Sequence, residues 1–505
     1  MSLTGRHILL ALVASALIAL GFANLTAGGP DPWITLGRIG AGLITPDFSD
    51  YTLLANAALL TVAFAFCGVA FGATFGLLLA PFYRLRRVRL PCITIRALHE
   101  IFWALLLLNV SGLSPLTGVL AIGLPYTGIF AKVFSEYLDE AEAQAEAALP
   151  HAHSTLIRLL WVRLPACLPQ IGTYTLYRLE CGLRSSAVLG FIGLPTLGFH
   201  LESFFKQAHY SQAAAALFIF MALILPLRRW VRWRLVPVFI AVSIWLLSRV
   251  PYPPMGQGAA LQFLNDLIPS PLRTGADWGK WLDKVLIDQA LPGAIDTLTL
   301  SQLALAGATL IAAIAFPMIV PRVATRIGAA IGHGVLVIFR STPEYMLAFV
   351  LLQILGPSML PAILALALHN GAIIAHLLGR HAQDLTIRPD APRGLTFWGW
   401  ELFPRLTANF WALCLYRWEI ILRESAIMGL LGIGTLGFYV QTNLQQLRMD
   451  RALILLAVTV LLTLLIDTLS RTLRRHMQEG RDLRIEKTRA IDDASAAPTP
   501  QGVCR

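Results

Sequence analysis

Two acid–base pairs stand where a chain this apolar has little reason to carry charge: Glu180 with Arg184, and Glu419 with Arg423. The partners are four residues apart, so on a helix each stacks one turn from the other. Tyr177 and Tyr416 precede the glutamates by three residues, which places tyrosine, glutamate and arginine on one face. Counted from a helix start near Gly172, Glu180 lies about 12 Å and Arg184 about 18 Å along the axis, mid-bilayer at 1.5 Å per residue. An ionised group there costs about 2.5–3.5 kcal/mol. Two readings fit: an ion pair pinning helix to helix, or a polar wall that meets a charged solute. Arg178 and Arg417 add a second cation to each copy, pointing elsewhere and nearer the cytoplasmic end, and the positive excess suits an anion.

The pairs belong to a longer repeat. Residues 176–199 and 415–438 are identical at 14 of 24 gapless positions, Ser186/Ser425, Gly190/Gly429, Gly193/Gly432 and Gly198/Gly437 among them. That glycine density predicts either an unwound helix end or close helix packing. Arg96-Ala-Leu-His-Glu100 aligns with Arg340-Ser-Thr-Pro-Glu344 at an offset of 244, against 239 for the later match, so the second intervening loop is five residues shorter (244 − 239).

The elements that must carry these residues are membrane helices. Of 505 residues, 56% are hydrophobic and 14% charged, and apolar runs of about 20 residues recur, so a soluble domain is excluded. The expected spans are about 8–22, 54–82, 97–111, 115–137, 172–194 and 211–226, then 235–249, 291–320, 332–354, 358–379, 409–433 and 451–469. Six spans separate equivalent points, and an even number leaves both copies in the same orientation, a parallel duplication. The fold class is thus all-α and polytopic, with about 12 transmembrane helices. Its parts are a first repeat (1–232), a second (233–478) and a polar, disordered tail (479–505). The arginine clusters at 84–89, 228–234 and 471–475 all fall on one side, read as cytoplasmic together with both termini. Those clusters account for the net charge of +11 without nucleic acid. The stretch to Phe22 could pass for a signal peptide, but Val236–Leu247 occupies the equivalent place, which favours a retained span. The six cysteines form no C-x-x-C pair and read as reduced. His369 and His376 read as packed or pore-lining, since no carboxylate cluster accompanies them in sequence, and no metal is expected. No G-x-x-x-x-G-K-[ST] occurs, so nucleotide must be bound by another polypeptide.

The cytoplasmic stretch EAALPHAHSTLIRLLWVRLP (146–165) resembles the coupling loop of permease subunits of binding-protein-dependent ABC importers. Glu146, Ala147 and Ala148 open the pattern, Ala152 stands at its glycine, and Leu164-Pro165 closes it. The resemblance implies the type I permease fold, with coupling loops at 138–170 and 380–408 docking on a separate ATPase subunit in two copies. It also implies a periplasmic binding protein as donor, an inner-membrane location, and no catalysis or cofactor in this chain. The second loop departs from the pattern: Leu385 and Ala391 replace the glutamate and glycine, and Phe403-Pro404 replaces Leu-Pro. The segments beginning at Tyr174 and at the Glu100 region resemble the phosphonate permeases, here as two fused copies. Uptake of a phosphonate or a related oxyanion is implied, through a pathway between Tyr177, Glu180, Arg184 and Ser186 and Tyr416, Glu419, Arg423 and Ser425. A permease for another small solute is the nearest alternative. A gradient-driven secondary transporter would explain the duplication but not the coupling loop. A membrane enzyme acting on lipid phosphates would need convergent catalytic groups at one face.

Overall fold

The computed structural model describes residues 5–26, 28, 31–145, 155–252, 258–388 and 390–495, and all regular structure among them is helical. Six helices are long and apolar enough to cross a membrane, and three bent pairs raise the count to nine. Gly5–Leu20, Tyr210–Ile224 and Trp233–Ser248 are apolar but shorter, and with them the tally reaches about 12.

In each half, two long helices form a spine held by small residues. Tyr51–Leu79 lies so close to Pro115–Ala145 that a Cβ on Gly68, Gly72 or Gly76 would fall 2.7, 2.6 or 2.4 Å from Ile122, Tyr126 or Phe130. The three glycines are four residues apart and make one smooth face, the device that lets membrane helices touch backbone to side chain. Leu291–Ala315 and Met359–Gln383 repeat this pairing, with Gly307 against Ala367 and Gly371 against Ile311.

Two expected spans prove to be broken. The stretch 97–111 is the second arm of a pair, Arg86–Ala97 and Glu100–Ser111, bent by 95°. The break lies at Leu98 and His99, both extended, and the His99 ring accepts a hydrogen bond from Ile101 N. Likewise 332–354 divides into Pro321–Ser341 and Glu344–Leu355, because Pro343 supplies no N–H and forces Thr342 out of the helix. The loops expected at 83–96 and 321–331 are therefore largely helical.

The helices that carry the charge pairs, Leu164–Val188 and Phe403–Ile427, start well before Gly172 and its equivalent. Each follows a π-turn, Leu159–Arg163 and Trp398–Leu402, again at an offset of 239. Depth counted from Gly172 therefore does not hold. Each helix then tightens into a 3₁₀ turn and stops at a left-handed glycine, Gly193 (φ 99°) or Gly432 (φ 85°). The chain continues, bent by 51° or 48°, into Leu197–Lys206 or Leu436–Gln445. Both readings of the glycines apply. The helix end unwinds, and a Cβ on Gly198 or Gly437 would lie 1.9 or 1.7 Å from the carbonyl oxygen of Ala187 or Ala426.

The last helix runs from Met449 to Ser495 instead of stopping near Gln478, since the charged run beyond is rich in good helix formers, Arg, Leu, Glu and Lys. Cys67, Cys92, Cys167, Cys181 and Cys414 carry free thiols.

The tight crossing gives a direct check. Gly437→Ala should destabilise the folded chain by about 1–3 kcal/mol through overpacking. Gly40→Ala, where nothing lies within 4 Å, should leave it unchanged. Thermal unfolding of the detergent-purified variants, followed by size exclusion, compares the two.

Candidate functional site

A cavity of about 620 Å³ opens between the halves and is lined by both. Nine basic side chains face it against five carboxylates. The two broken helices aim at it: His99 and Glu100 line it at the start of one arm, Pro343, Glu344 and Tyr345 at the start of the other. Helix N-termini carry partial positive charge and unpaired N–H groups, so both ends favour an anion.

Arg184 and Arg423 each cross to the opposite half. Arg184 Nη1 donates to the Arg340 carbonyl at 3.4 Å, and Arg423 Nη1 to the Arg96 carbonyl at 3.1 Å. Arg96 and Arg340 are equivalent in the repeat and stand just before the two helix breaks, where carbonyls lose their intrahelical partners. One interaction thus occurs twice, a mid-helix arginine capping the carboxyl end of a broken helix in the other repeat.

Around this symmetric frame the two halves differ. Glu100 accepts a hydrogen bond from Ser185 Oγ at 2.5 Å and lies 3.3 Å from His99 Nε2. Its equivalent, Glu344, lies 3.7 Å from His369 Nε2. Where the first half has Ser185 the second has Glu424, which accepts from Asn370 Nδ2 at 2.7 Å, while Arg417 donates to Asn370 Oδ1 at 3.3 Å. Asp467, buried on the last helix, is paired with Arg471 and lies 4.0 Å from Arg96 of the other half.

Of the residues expected on the pathway, Tyr177, Arg184, Tyr416, Glu419 and Arg423 line this cavity. Glu180 is not among its walls and makes no ion pair with Arg184, which turns to Arg340 instead. Only the second copy keeps the expected bridge, Arg423–Glu419 at 3.9 Å. Ser186 and Ser425 are fully buried and hydrogen-bond to the carbonyls of Leu183 and Leu422, so they seal their own helices. Arg178, expected to point away, lines the cavity, its Nε donating to the Tyr174 hydroxyl at 2.9 Å.

His369, expected as packed or pore-lining, is buried and lines the cavity, whereas nothing in the sequence singles out Glu424. Comparing the copies for identity passes over Glu424 because its counterpart is a serine. His369 has no carboxylate near it along the chain, yet Glu344 and Glu424 come to it through space, all three ligand atoms lying within 4.8 Å. Glu100 and Glu344 were already aligned in the repeat, which was the available signal.

Of the residues expected to couple to an ATPase, Glu146, Ala147, Ala148 and Ala152 lie outside the described residues. Leu164-Pro165 and Phe403-Pro404 each directly follow a π-turn within continuous helical backbone. Glu401 of the second loop is buried and bridges Arg388 at 3.2 Å and Arg405 at 2.7 Å.

No family profile and no solved structure matches the chain. Curated proteins do. The phosphite transport system permease protein PtxC of Stutzerimonas stutzeri is 28% identical over 201 residues, 38% of this chain and 73% of that protein. The phosphate-import permease protein PhnE of Mycolicibacterium smegmatis is 23% identical over 412 residues, 76% of each. The putative phosphite transport system permease protein HtxE of Stutzerimonas stutzeri is 30% identical over 146 residues, 28% of this chain and 56% of that protein. With the coupling-loop motif and the duplicated helices, these likenesses make the chain similar to the permease subunits of phosphite and phosphonate importers.

Proposed function

We propose that the chain forms the whole membrane passage for a phosphonate-like oxyanion, two permease repeats (1–232 and 233–478) fused where relatives would pair. The observation that carries this reading is the convergence of Arg184 and Arg423, one from each repeat, on a cavity that also receives two helix N-termini. Such a cavity offers a tetrahedral anion charge-assisted donors from several directions. The relatives named for phosphite and phosphate import support that solute class.

A binding protein delivers the anion at the outer face, around residues 196–210 and 250–290. Two copies of a separate ATPase close against the cytoplasmic loops, and the push reaches the cavity through the π-turns and the helices that start at Leu164 and Phe403. Rocking the halves opens the crossing arginine contacts alternately. In this reading the protein sits in the bacterial inner membrane with both termini in the cytoplasm, where the arginine clusters also belong.

Three outcomes test it. Arg184→Ala with Arg423→Ala should lower oxyanion uptake at least about a hundredfold, two charge-assisted hydrogen bonds being lost, while the protein still inserts. Uptake retained in that double variant would make the arginines structural only. Inactivating the partner ATPase with ion gradients intact should stop uptake, and continued uptake would return the secondary-transporter reading. The third concerns the unequal loops. Glu146→Ala, at the matched motif, should cut uptake about tenfold, as expected for one interface anchor. Glu401→Ala should cut it less, because its contacts are with Arg388 and Arg405 of its own loop. Equal losses in the two variants would refute the inequality.

A further inference from the structure

One wall of the cavity is made of acceptors. His369 Nδ1 sits 2.9 Å from the Thr342 carbonyl and 3.2 Å from the Phe339 carbonyl, so Nδ1 carries the proton and Nε2 is left as an acceptor. Nε2 is 3.7 Å from a Glu344 carboxylate oxygen, and one ligand atom each from His369, Glu344 and Glu424 lie within 4.8 Å of one another. All three residues line the cavity, and His369 and Glu344 are only 1% and 8% exposed. Beside them Tyr345, 1% exposed, also lines the cavity, and its hydroxyl has no hydrogen-bond partner. Arg184, 3.4 Å from His369 Nε2, is the donor at the same wall.

A fully ionised oxyanion held by Arg184 would press its oxygens against these acceptors with no proton between them. An oxyanion that keeps one acidic proton fits, because it accepts from Arg184 and donates to the cluster. We propose that Glu344, His369 and Glu424 select oxyanions bearing a P–OH group over unprotonated anions of the same shape. The inference rests on the anion reading of the cavity and names the chemical form of the solute.

The selectivity is one-sided. Pro125, Ser185 and Ile101 stand at the first-half equivalents of His369, Glu424 and Tyr345, so the acceptor cluster belongs to the second half and is not repeated in the first. A divalent cation is the competing occupant of the three acceptors. Arg184 at the same nitrogen, and Arg417 on Asn370, place positive charge against it.

Inorganic phosphate and sulfate separate the possibilities, since at neutral pH both are tetrahedral and only phosphate keeps a proton. Binding of radiolabelled phosphate to the purified full chain in lipid nanodiscs, competed with sulfate, should favour phosphate by at least about tenfold, the worth of one hydrogen bond to a charged acceptor. In Glu344→Gln/Glu424→Gln phosphate should weaken and sulfate strengthen, bringing the ratio toward one. Glu424→Ser, which installs the residue of the first half, should move the ratio the same way, and size exclusion checks that each variant is folded. Parity in the parent chain, or discrimination unchanged in both variants, overturns the inference while leaving the anion reading in place. Phosphate binding that a chelator abolishes overturns it in favour of a metal site. If neither anion binds the parent chain, the anion reading of the cavity fails and the inference falls with it.

Discussion

The architecture depends on breaking two membrane helices without stranding their backbone. At Leu98–His99 and Thr342–Pro343 the chain turns sharply, and the carbonyls before each break lose the N–H groups that a continuous helix would supply. In hydrocarbon an unsatisfied carbonyl costs several kcal/mol. Arg184 and Arg423 meet that need from the opposite half, at the Arg340 and Arg96 carbonyls. The arginines are thereby held in place beside the cavity, and each half supplies what the other lacks. Phe191 against Tyr345 and Phe205 against Phe349, with ring centroids 4.9 and 6.0 Å apart, pack the same seam with apolar surface.

The break also redirects the helix dipoles. Uninterrupted helices would run past the cavity and present side chains alone. Broken at these points, the arms Glu100–Ser111 and Glu344–Leu355 begin at its wall and turn their amino ends inward. The glycine hooks at Gly193 and Gly432 finish the geometry. They stop the arginine-bearing helices and fold Leu197–Lys206 and Leu436–Gln445 back so tightly that only glycine fits at 198 and 437.

Much of this was legible in the sequence, and what was not has physical reasons. Hydropathy marked the long helices, and the repeat paired Arg184 with Arg423 and Glu100 with Glu344. The two breaks hide for different reasons: hydropathy runs across Pro343, so 332–354 reads as one span, while the arginine-rich arm Arg86–Ala97 reads as a loop before 97–111. The Glu180–Arg184 pair was expected from i, i+4 spacing alone, but spacing only permits a contact. A carbonyl with no other donor, brought from 156 residues away, competes better for the guanidinium. His369 shows the same limit, since its carboxylate neighbours come from two other helices.

Joining two like units in one chain removes a constraint that paired identical chains obey. With identical chains a two-fold axis makes every substitution occur twice, so Glu424 in place of Ser185 would crowd acceptors on both walls of one small cavity. In a single chain the walls drift apart independently. The repeat keeps what both halves must do: the crossing arginines, the glycine hooks and the π-turns before Leu164 and Phe403. It diverges where one copy suffices. Ser185 donates to Glu100 in the first half, while in the second Glu344, His369 and Glu424 gather three acceptor groups, with Asn370 donating to Glu424. The loops before Leu164 and Phe403 have parted in sequence in the same manner, the second closing on itself through Arg388, Glu401 and Arg405. What stays symmetric is therefore the frame around the cavity, and what has become asymmetric is the chemistry its walls offer.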